Sequence, residues 1–141
     1  MDKNCIFCKI NKGEIPSNTV YEDDDFKAIL DNGPANKGHV IILTKRHCVN
    51  LFDLDETSAK RALIVAQKIA KALQEDLGCD GINMLQNNGE AAGQSVFHYH
   101  IHLIPRYDQD KVEISWEKVG YQEGEAEKLG ERLSEKIKRS L

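Results

Sequence analysis

The chain has 141 residues, a length that fits one compact domain with its own hydrophobic core. Its formal net charge is −4 with 30% charged and 40% hydrophobic residues, which is typical of a globular protein and argues against a nucleic-acid backbone as the main partner. No apolar run approaches the roughly 20 residues that cross a bilayer, and the N-terminal residues lack the apolar stretch of a signal peptide, so we expect a cytoplasmic protein with no membrane partner.

The first third of the chain predicts short elements. Residues 5–12 are expected to form a helical turn that carries Cys5 and Cys8 and stops near Gly13. Three strands are predicted to follow it, at residues 20–21, 26–30 and 39–44. The third of these strands is short, β-branched and apolar, which predicts that both of its faces are buried.

A helix over residues 53–77 is the clearest element. Asp55 offers a cap at its start, and Gly78 offers a stop. Apolar residues recur at spacings of three and four, which predicts one buried face. That face is expected to consist of Ala59, Leu63, Ala66, Ile69, Ala70, Leu73 and Leu77.

The second half of the chain predicts two more strands and a final helix. We expect a strand at 81–86, a polar loop at 87–93, a strand at 97–104 that Pro105 closes, and an amphipathic helix at 123–139. Strands that come in pairs around one long helix favour an α+β fold with an antiparallel sheet over βαβ winding. We therefore expect a single domain over residues 1–141.

Three alternating histidines are the strongest chemical signal. Since successive strand side chains point to opposite faces, His98, His100 and His102 are predicted to share one face. The intervening apolar residues, together with Phe97, are expected to pack beneath the sheet and anchor the strand. Such a row of imidazoles suits either a metal site or nucleophilic catalysis.

The loop before these histidines favours catalysis on a phosphate. Its glycines, Gly89 and Gly93, allow backbone N–H groups to approach an anion, and Gln94 and Ser95 add neutral donors. A loop of this kind beside imidazoles is more typical of a phosphate-bearing substrate than of a simple metal site.

The four cysteines are expected to be reduced in a cytoplasmic protein. Cys5 and Cys8 form a CxxC pair, which by itself suits zinc, redox chemistry or neither. A redox role would favour a βαβ setting, and zinc would need two further ligands. Cys48, next to His47, is a rival ligand, although the two side chains point in opposite directions if the segment is extended. Cys79 has no evident partner.

Residues 93–104, Gly-Gln-Ser-Val-Phe-His-Tyr-His-Ile-His-Leu-Ile, closely resemble the signature of the histidine triad (HIT) superfamily. The similarity extends upstream through residues 26–31 and 37–47, so that roughly residues 4–106 match in order, and 107–141 form a C-terminal extension. The resemblance implies a HIT-like fold, with a five-stranded antiparallel sheet, one long helix and a C-terminal helix. It also implies a homodimer.

The resemblance implies a role for each matched residue. His100 would be the nucleophile that forms a nucleotidyl-histidine intermediate, His102 would contact the phosphate oxygens, and Asp31 would bind the ribose hydroxyls. Three residues match positions that line the α-phosphate and the leaving group: Asn87, Gly93 and Ser95. We count Ser95 among the catalytic residues and Gln94 among the nucleotide-binding ones. His39 matches a further histidine near the site, with a structural histidine at a strand start as the alternative.

Family members with an N-terminal CxxC resemble a subgroup that binds structural zinc. The matching ligands here are Cys5, Cys8, His47 and His98. This assignment would separate the role of His98 from that of His100, since zinc would hold both the N-terminal turn and the catalytic strand.

The resemblance leaves more than one function open. The first is hydrolysis of a phosphoramidate or phosphoanhydride at the α-phosphate of a purine nucleotide of the AMP or GMP type. His102 disfavours the transferase branch, which has Gln there, and Ser95 favours the phosphoramidate-cleaving branch over the dinucleoside polyphosphate branch, which tends to have Thr. The second is a nucleotide-binding regulatory or scaffold protein. Trp116 and Tyr121 in the extension are expected over the site or at a dimer interface.

Overall fold

The computed structural model describes residues 3–141 and has an α+β architecture. Its helices are α1 (Ile6–Asn11), α2 (Glu56–Leu77) and α3 (Glu125–Ser140). Its strands are β1 (Thr19–Glu22), β2 (Phe26–Leu30), β3 (Val40–Thr44), β4 (Gly81–Leu85) and β5 (His100–Arg106). They form one five-stranded sheet in the order β1-β2-β3-β5-β4, and every neighbouring pair is antiparallel. The predicted fold class is confirmed.

The sheet separates two clusters of buried side chains. On one face, Val40, Ile42, Ile101 and Leu103 pack against the apolar side of α2. On the other face, residues such as Ile41 and Leu43 pack against α1. The register pairs Ile41 with His102 and Leu43 with His100, so the two histidines lie on the α1 side. The sheet thus places the histidines opposite the long helix.

The structure corrects the start and the buried face of α2. Residues 51–53 form a separate 3₁₀ turn, and the helix begins at Glu56 because the Asp55 side chain caps it by accepting from the Ser58 N–H at 2.9 Å. The fully buried residues are Ala62, Val65, Ala66 and Ile69. Ala59 is exposed and Leu63 is 62% exposed, so the prediction was wrong for both. Two overlapping apolar stripes run along this helix, and packing on the sheet selects between them.

The structure also corrects the bounds of the histidine strand. β5 begins at His100 rather than at Phe97, whose side chain is 48% exposed instead of packed beneath the sheet. The strand continues through Pro105. The Pro105 carbonyl accepts from the Asn36 side chain at 2.8 Å, so this side of Pro105 faces a point beyond the end of β3. Because the N–H of a strand residue points the same way as its carbonyl, the missing proline N–H removes no hydrogen bond from the sheet.

Gly38 lies at a tight crossing between the turn before β3 and the end of α2. Its φ is +93°, and a Cβ there would lie 2.6 Å from Leu77 Cδ1. We expect Gly38→Ala to lower the free energy of unfolding by about 1–3 kcal/mol because of backbone strain and this contact. Gly81→Ala is the matched control, since Gly81 has an ordinary φ and open space around it. Equal urea midpoints for the two variants would contradict the prediction.

The C-terminal extension contributes little to the body of the domain. α3 has no buried residue, and Trp116 and Tyr121 are 79% and 67% exposed. Neither aromatic side chain lines the cavity beside the histidines, so they do not cover the site of their own chain. Within residues 3–141, no helix is both long and apolar enough to cross a membrane.

Candidate functional site

Helix α1 brings the two cysteines of the CxxC pair together. Cys5 caps the helix, and its Sγ accepts from the Cys8 N–H at 3.4 Å. The buried Lys27 ammonium donates to the Ile10 carbonyl at 3.1 Å and so holds the other end of the helix on the sheet. Both thiols are buried against the histidine side of the sheet.

His47 and His98 complete a cluster of four potential metal ligands. Cys8 Sγ lies 3.3 Å from His47 Nδ1, Cys5 Sγ lies 3.3 Å from His98 Nδ1, and the two Nδ1 atoms are 3.2 Å apart. All four ligand atoms lie within 4.8 Å of one another. A tetrahedral zinc site with ordinary bond lengths has N···N edges of about 3.4 Å and S···N edges of about 3.6 Å. The donor set and its spacing therefore fit a zinc ion.

His98 is oriented for this role by the backbone. Its Nε2–H donates to the Thr44 carbonyl at 2.7 Å, which leaves Nδ1 without a proton and directed at the cysteines. Burial lowers the pKa of His98 to about 4, so the ring is neutral, as a metal ligand must be. Cys48 and Cys79 lie outside the four-residue cluster, and Cys48 is buried in the core on the α2 side.

A cavity of about 280 Å³ opens beside His100 and His102. One part of its wall is apolar and comes from Ile6, Phe7, Ile10, Ile29, Leu30, Ile41 and Val96. The remaining wall is polar and comes from Asp31, Asn32, Gly93, Ser95, His100 and His102. An apolar pocket with a few convergent polar groups is the usual form of a small-molecule site.

His100 is held as a neutral imidazole with a defined proton position. Its Nδ1 lies 2.6 Å from the His98 carbonyl oxygen, so Nδ1–H donates there and Nε2 keeps a free lone pair. The Phe7 ring packs edge-on at 4.9 Å between centroids. Burial lowers the pKa of His100, which favours the neutral ring.

His102 has the opposite proton position. The Ala35 N–H donates to His39 Nδ1 at 3.1 Å, so neutral His39 carries its proton on Nε2 and donates it to His102 Nδ1 at 2.9 Å. His102 therefore carries its own proton on Nε2. Burial, with smaller contributions from His100 and His39, lowers the pKa of His102 to about 4. The His102 ring, which carries this neutral N–H donor, lies 5.0 Å from the His100 ring between centroids.

The loop between β4 and β5 is held in shape by its own side chains. Gln94 Oε1 accepts from the Gly89 N–H at 2.7 Å, and its Nε2 donates to the Val49 carbonyl at 2.7 Å. Gln94 is buried and does not line the cavity, so its amide shapes the loop instead of pointing into the site. Asn87 lies behind Gly93 and donates to its carbonyl at 3.4 Å. Gly93 and Ser95 line the cavity.

Sequence reasoning did not assign Phe7, Thr44 or Ala35 to the site. Phe7 lies inside the CxxC pair, and this position is the only sequence signal that connects it with the site. Ala35 acts through its backbone N–H, and Thr44 acts mainly through its carbonyl, with its hydroxyl 3.3 Å from His98 Nε2. No side-chain pattern reveals such backbone roles. His39, left open between a site residue and a structural one, lies against His102.

A family model of the HIT domain matches residues 12–109 of the chain. The chain belongs to the HIT family. A curated relative of this HIT protein, "Protein hit" of Bacillus subtilis, is 49% identical over 105 residues, which is 74% of this chain and 72% of the relative. Adenosine 5'-monophosphoramidase hnt1 of Schizosaccharomyces pombe is 37% identical over 136 residues, covering 96% and 99% of the two chains.

Solved structures agree with the family assignment. A HIT family member from Bacillus subtilis superposes with a TM-score of 0.89 at 40% identity, over 94% of this chain and 96% of that one. A Zn-bound histidine triad family protein from Mycobacterium smegmatis gives a TM-score of 0.74 at 36% identity, over 96% and 97% of the chains. The family model begins after the CxxC pair, so the fit of a zinc ion to this HIT protein rests on the geometry of its own four-residue cluster.

Proposed function

We propose that this HIT protein is a nucleotide hydrolase that cleaves a phosphoramidate or phosphoanhydride bond at the α-phosphate of a purine nucleotide. The observation that carries the proposal is the 2.6 Å hydrogen bond from His100 Nδ1 to the His98 carbonyl. It leaves the Nε2 lone pair of a buried neutral imidazole as a nucleophile beside the polar wall of the cavity. An adenosine monophosphoramidase among the relatives, covered over nearly its whole length, supports an amine leaving group.

The reaction divides into two displacements at phosphorus. In the first, His100 Nε2 bonds to the α-phosphorus, the bond to the leaving amine or phosphate breaks, and a nucleotidyl-histidine forms. In the second, water attacks phosphorus, the P–N bond to His100 breaks, and the nucleoside monophosphate is released. The Nδ1–H bond to the His98 carbonyl stabilises the positive charge that the ring carries in the intermediate.

The other site residues take supporting roles. His102 Nε2–H and the backbone around Gly93 stabilise charge on the non-bridging oxygens, and the Ser95 hydroxyl contacts the leaving group. Asn87 and Gln94 act by holding the loop. The apolar wall of the cavity accommodates the base. Cys5, Cys8, His47 and His98 would hold a structural zinc ion, which when bound would fix α1 against the segment that ends in His100.

Two statements about the assembly stay predictions. We propose that residues 1–141 form a single HIT domain and that the protein is a homodimer. Support for the dimer comes from β4, an edge strand of the sheet, where Met84 and the neighbouring Leu63 of α2 are 54% and 62% exposed.

The function is tested by offering two substrates side by side. Zinc-loaded protein is incubated with adenosine phosphoramidate and with diadenosine tetraphosphate, and AMP release is followed. We expect kcat/KM to be higher for the phosphoramidate. A preference for the tetraphosphate would support the dinucleoside polyphosphate alternative, and tight AMP binding without turnover of either compound would support a regulatory protein.

Asp31 gives a prediction about the sugar. Its Oδ1 accepts from the Gly33 N–H at 2.8 Å, which orients the carboxylate at the edge of the cavity to accept from ribose hydroxyls. We expect the wild type to prefer the ribonucleotide over the 2'-deoxynucleotide phosphoramidate by about 10- to 100-fold in kcat/KM, the value of a hydrogen bond to a charged group. In Asp31→Ala the ratio is expected to approach one. Asp24→Ala, in the β1–β2 turn, is the control, and an unchanged ratio in Asp31→Ala would refute the assignment.

A further inference from the structure

The two cysteines of the CxxC pair are held at a spacing that suits a disulfide. Cys5 is the N-cap of α1 and Cys8 is the third residue of the helix, and Cys5 Sγ accepts from the Cys8 N–H at 3.4 Å. Helix dimensions place the Cα atoms of such a pair about 5 Å apart, inside the range of about 4.4–6.8 Å that disulfides span. The two Sγ atoms lie within 4.8 Å of each other. A bond between them therefore needs side-chain rotation but no movement of the backbone.

The two sulfur atoms differ in their access to small molecules. A cavity of about 300 Å³ lies beside the nucleotide cavity, and Cys5 forms part of its wall. The other residues that line it are uncharged: Asn4, Ile6, Ser95, Val96 and Phe97. Cys8 is 1% exposed and does not line this cavity. A small neutral molecule can therefore reach the sulfur of Cys5 from solvent, whereas Cys8 lies behind it.

We propose that Cys5 and Cys8 form a reversible disulfide by exchange with a low-molecular-weight disulfide, and that this bond and zinc exclude each other. The Cys5 thiolate attacks one sulfur of the reagent, the S–S bond of the reagent breaks, and Cys5 is left in a mixed disulfide. The Cys8 thiolate then attacks the Cys5 sulfur and expels the second half of the reagent. The cysteine pair loses two electrons, and the reagent leaves as two thiolates that take their protons from water.

The exclusion follows from the use of the two sulfur atoms. Zinc is bound by thiolates, and a sulfur atom in a disulfide is no longer a thiolate. Of the four cluster residues, only His47 and His98 would remain as ligands, fewer than a structural zinc site uses. Bound zinc in turn occupies both thiolates and so protects them from the reagent. Because the two states compete, each disfavours the other by the same factor at equilibrium.

Oxidation of the pair reaches the catalytic histidine through two contacts. The ring of His98 belongs to the cluster, and its carbonyl accepts the hydrogen bond from His100 Nδ1–H. Phe7 lies between the two cysteines in the chain, and its ring packs against His100 at 4.9 Å between centroids. We expect oxidation to lower kcat for the phosphoramidate by about tenfold, the usual effect of disturbing the support of a site residue. This consequence rests on the proposed function, whereas the disulfide itself does not.

The disulfide is tested by mass spectrometry without nucleotide. Zinc-loaded protein and protein stripped of zinc by a chelator are incubated with 2-hydroxyethyl disulfide, quenched with acid, alkylated and digested with trypsin. Cleavage after Lys3 and Lys9 gives one peptide that contains Cys5 and Cys8 and no other cysteine. We expect this peptide to lose two hydrogen atoms, at a rate about tenfold or more higher in the stripped protein. In the zinc-loaded protein, a zinc-binding dye is expected to detect one ion released for each disulfide formed.

Single substitutions test the order of attack. In stripped protein, Cys8→Ser is expected to stop at the mixed disulfide on Cys5, and Cys5→Ser is expected to leave Cys8 unmodified over the same time. Cys79→Ser, which removes a buried thiol outside the cluster, is expected to behave as the wild type. Equal modification of the remaining thiol in the two cluster variants overturns the order of attack. Two reduced thiols in the stripped wild type under excess reagent, or a disulfide formed without release of zinc, overturn the proposal.

The catalytic consequence is tested by AMP release from adenosine phosphoramidate. The rate is measured before oxidation, after it, and after treatment with dithiothreitol and zinc, and we expect kcat to fall and then to recover. An unchanged kcat in the oxidised, zinc-free protein overturns the coupling to His100. If the reduced, zinc-loaded protein does not hydrolyse the substrate, the proposed function fails, while the mass of the peptide still decides the disulfide.

Discussion

His100→Ala is expected to lower kcat/KM for adenosine phosphoramidate by about 10⁴-fold or more, since removal of a covalent nucleophile leaves only the binding contribution of the site. AMP is expected to bind the variant with little change, because the ribose, phosphate and base contacts come from other residues. The rate is measured by AMP release, and the affinity is measured by calorimetry.

His102→Ala is the comparison variant for the nucleophile. It removes an N–H donor and is expected to lower kcat/KM by about 10²–10³-fold, which is less than the loss caused by removing the nucleophile. Acid quenching during turnover is expected to trap a nucleotidylated histidine in the wild type and none in His100→Ala. A His100→Ala protein that binds AMP and still hydrolyses the substrate at the wild-type rate would refute the mechanism.

Cys8→Ser is expected to release the structural zinc and to lower the melting temperature by about 10 °C or more. Cys8 Sγ contacts both His47 and His98, so its loss opens the cluster from both sides. Cys79→Ser is the matched control, because Cys79 is also a buried thiol but lies outside the cluster. Zinc content is measured by elemental analysis, and stability is measured by thermal unfolding.

The same variant tests the link between the zinc cluster and catalysis. The ring of His98 is one ligand of the cluster, and its carbonyl accepts the hydrogen bond from His100 Nδ1–H. We therefore expect Cys8→Ser to lower kcat more than it changes KM. Retention of one zinc per chain, or a melting temperature equal to that of Cys79→Ser, would contradict the assignment of Cys8 as a ligand.

Side-chain patterns were sufficient for the fold class and the family. Alternation along residues 98–103 placed His100 and His102 on one face, and the register with β3 confirms it. The caps at Asp55 and Gly78 were also visible, since capping depends on local chemistry. The spacing of Cys5 and Cys8 left zinc, redox chemistry or neither open, and the family resemblance implied zinc. The structure brings His47 and His98 to the two cysteines.

Other features depended on contacts between distant segments. Which stripe of α2 is buried follows from where the sheet meets the helix, so Ala59 and Leu63 were misassigned. The start of β5 at His100 depends on where pairing with β3 and β4 begins. Gln94 stays predicted as a nucleotide-binding residue, and the bonds of its amide to Gly89 and Val49 were not visible in the sequence.

The sequence by itself therefore identified the three alternating histidines and the cysteine pair as the residues that carry chemistry, and it identified the family. Only the tertiary structure decided which ring nitrogen of each of the three histidines carries the proton, and with it the different role of each histidine. His98 donates to the Thr44 carbonyl, His100 donates to the His98 carbonyl, and His102 accepts from His39. The physical reason is that a neutral imidazole takes its tautomer from the group that faces it, and two of these groups are backbone carbonyls placed by folding.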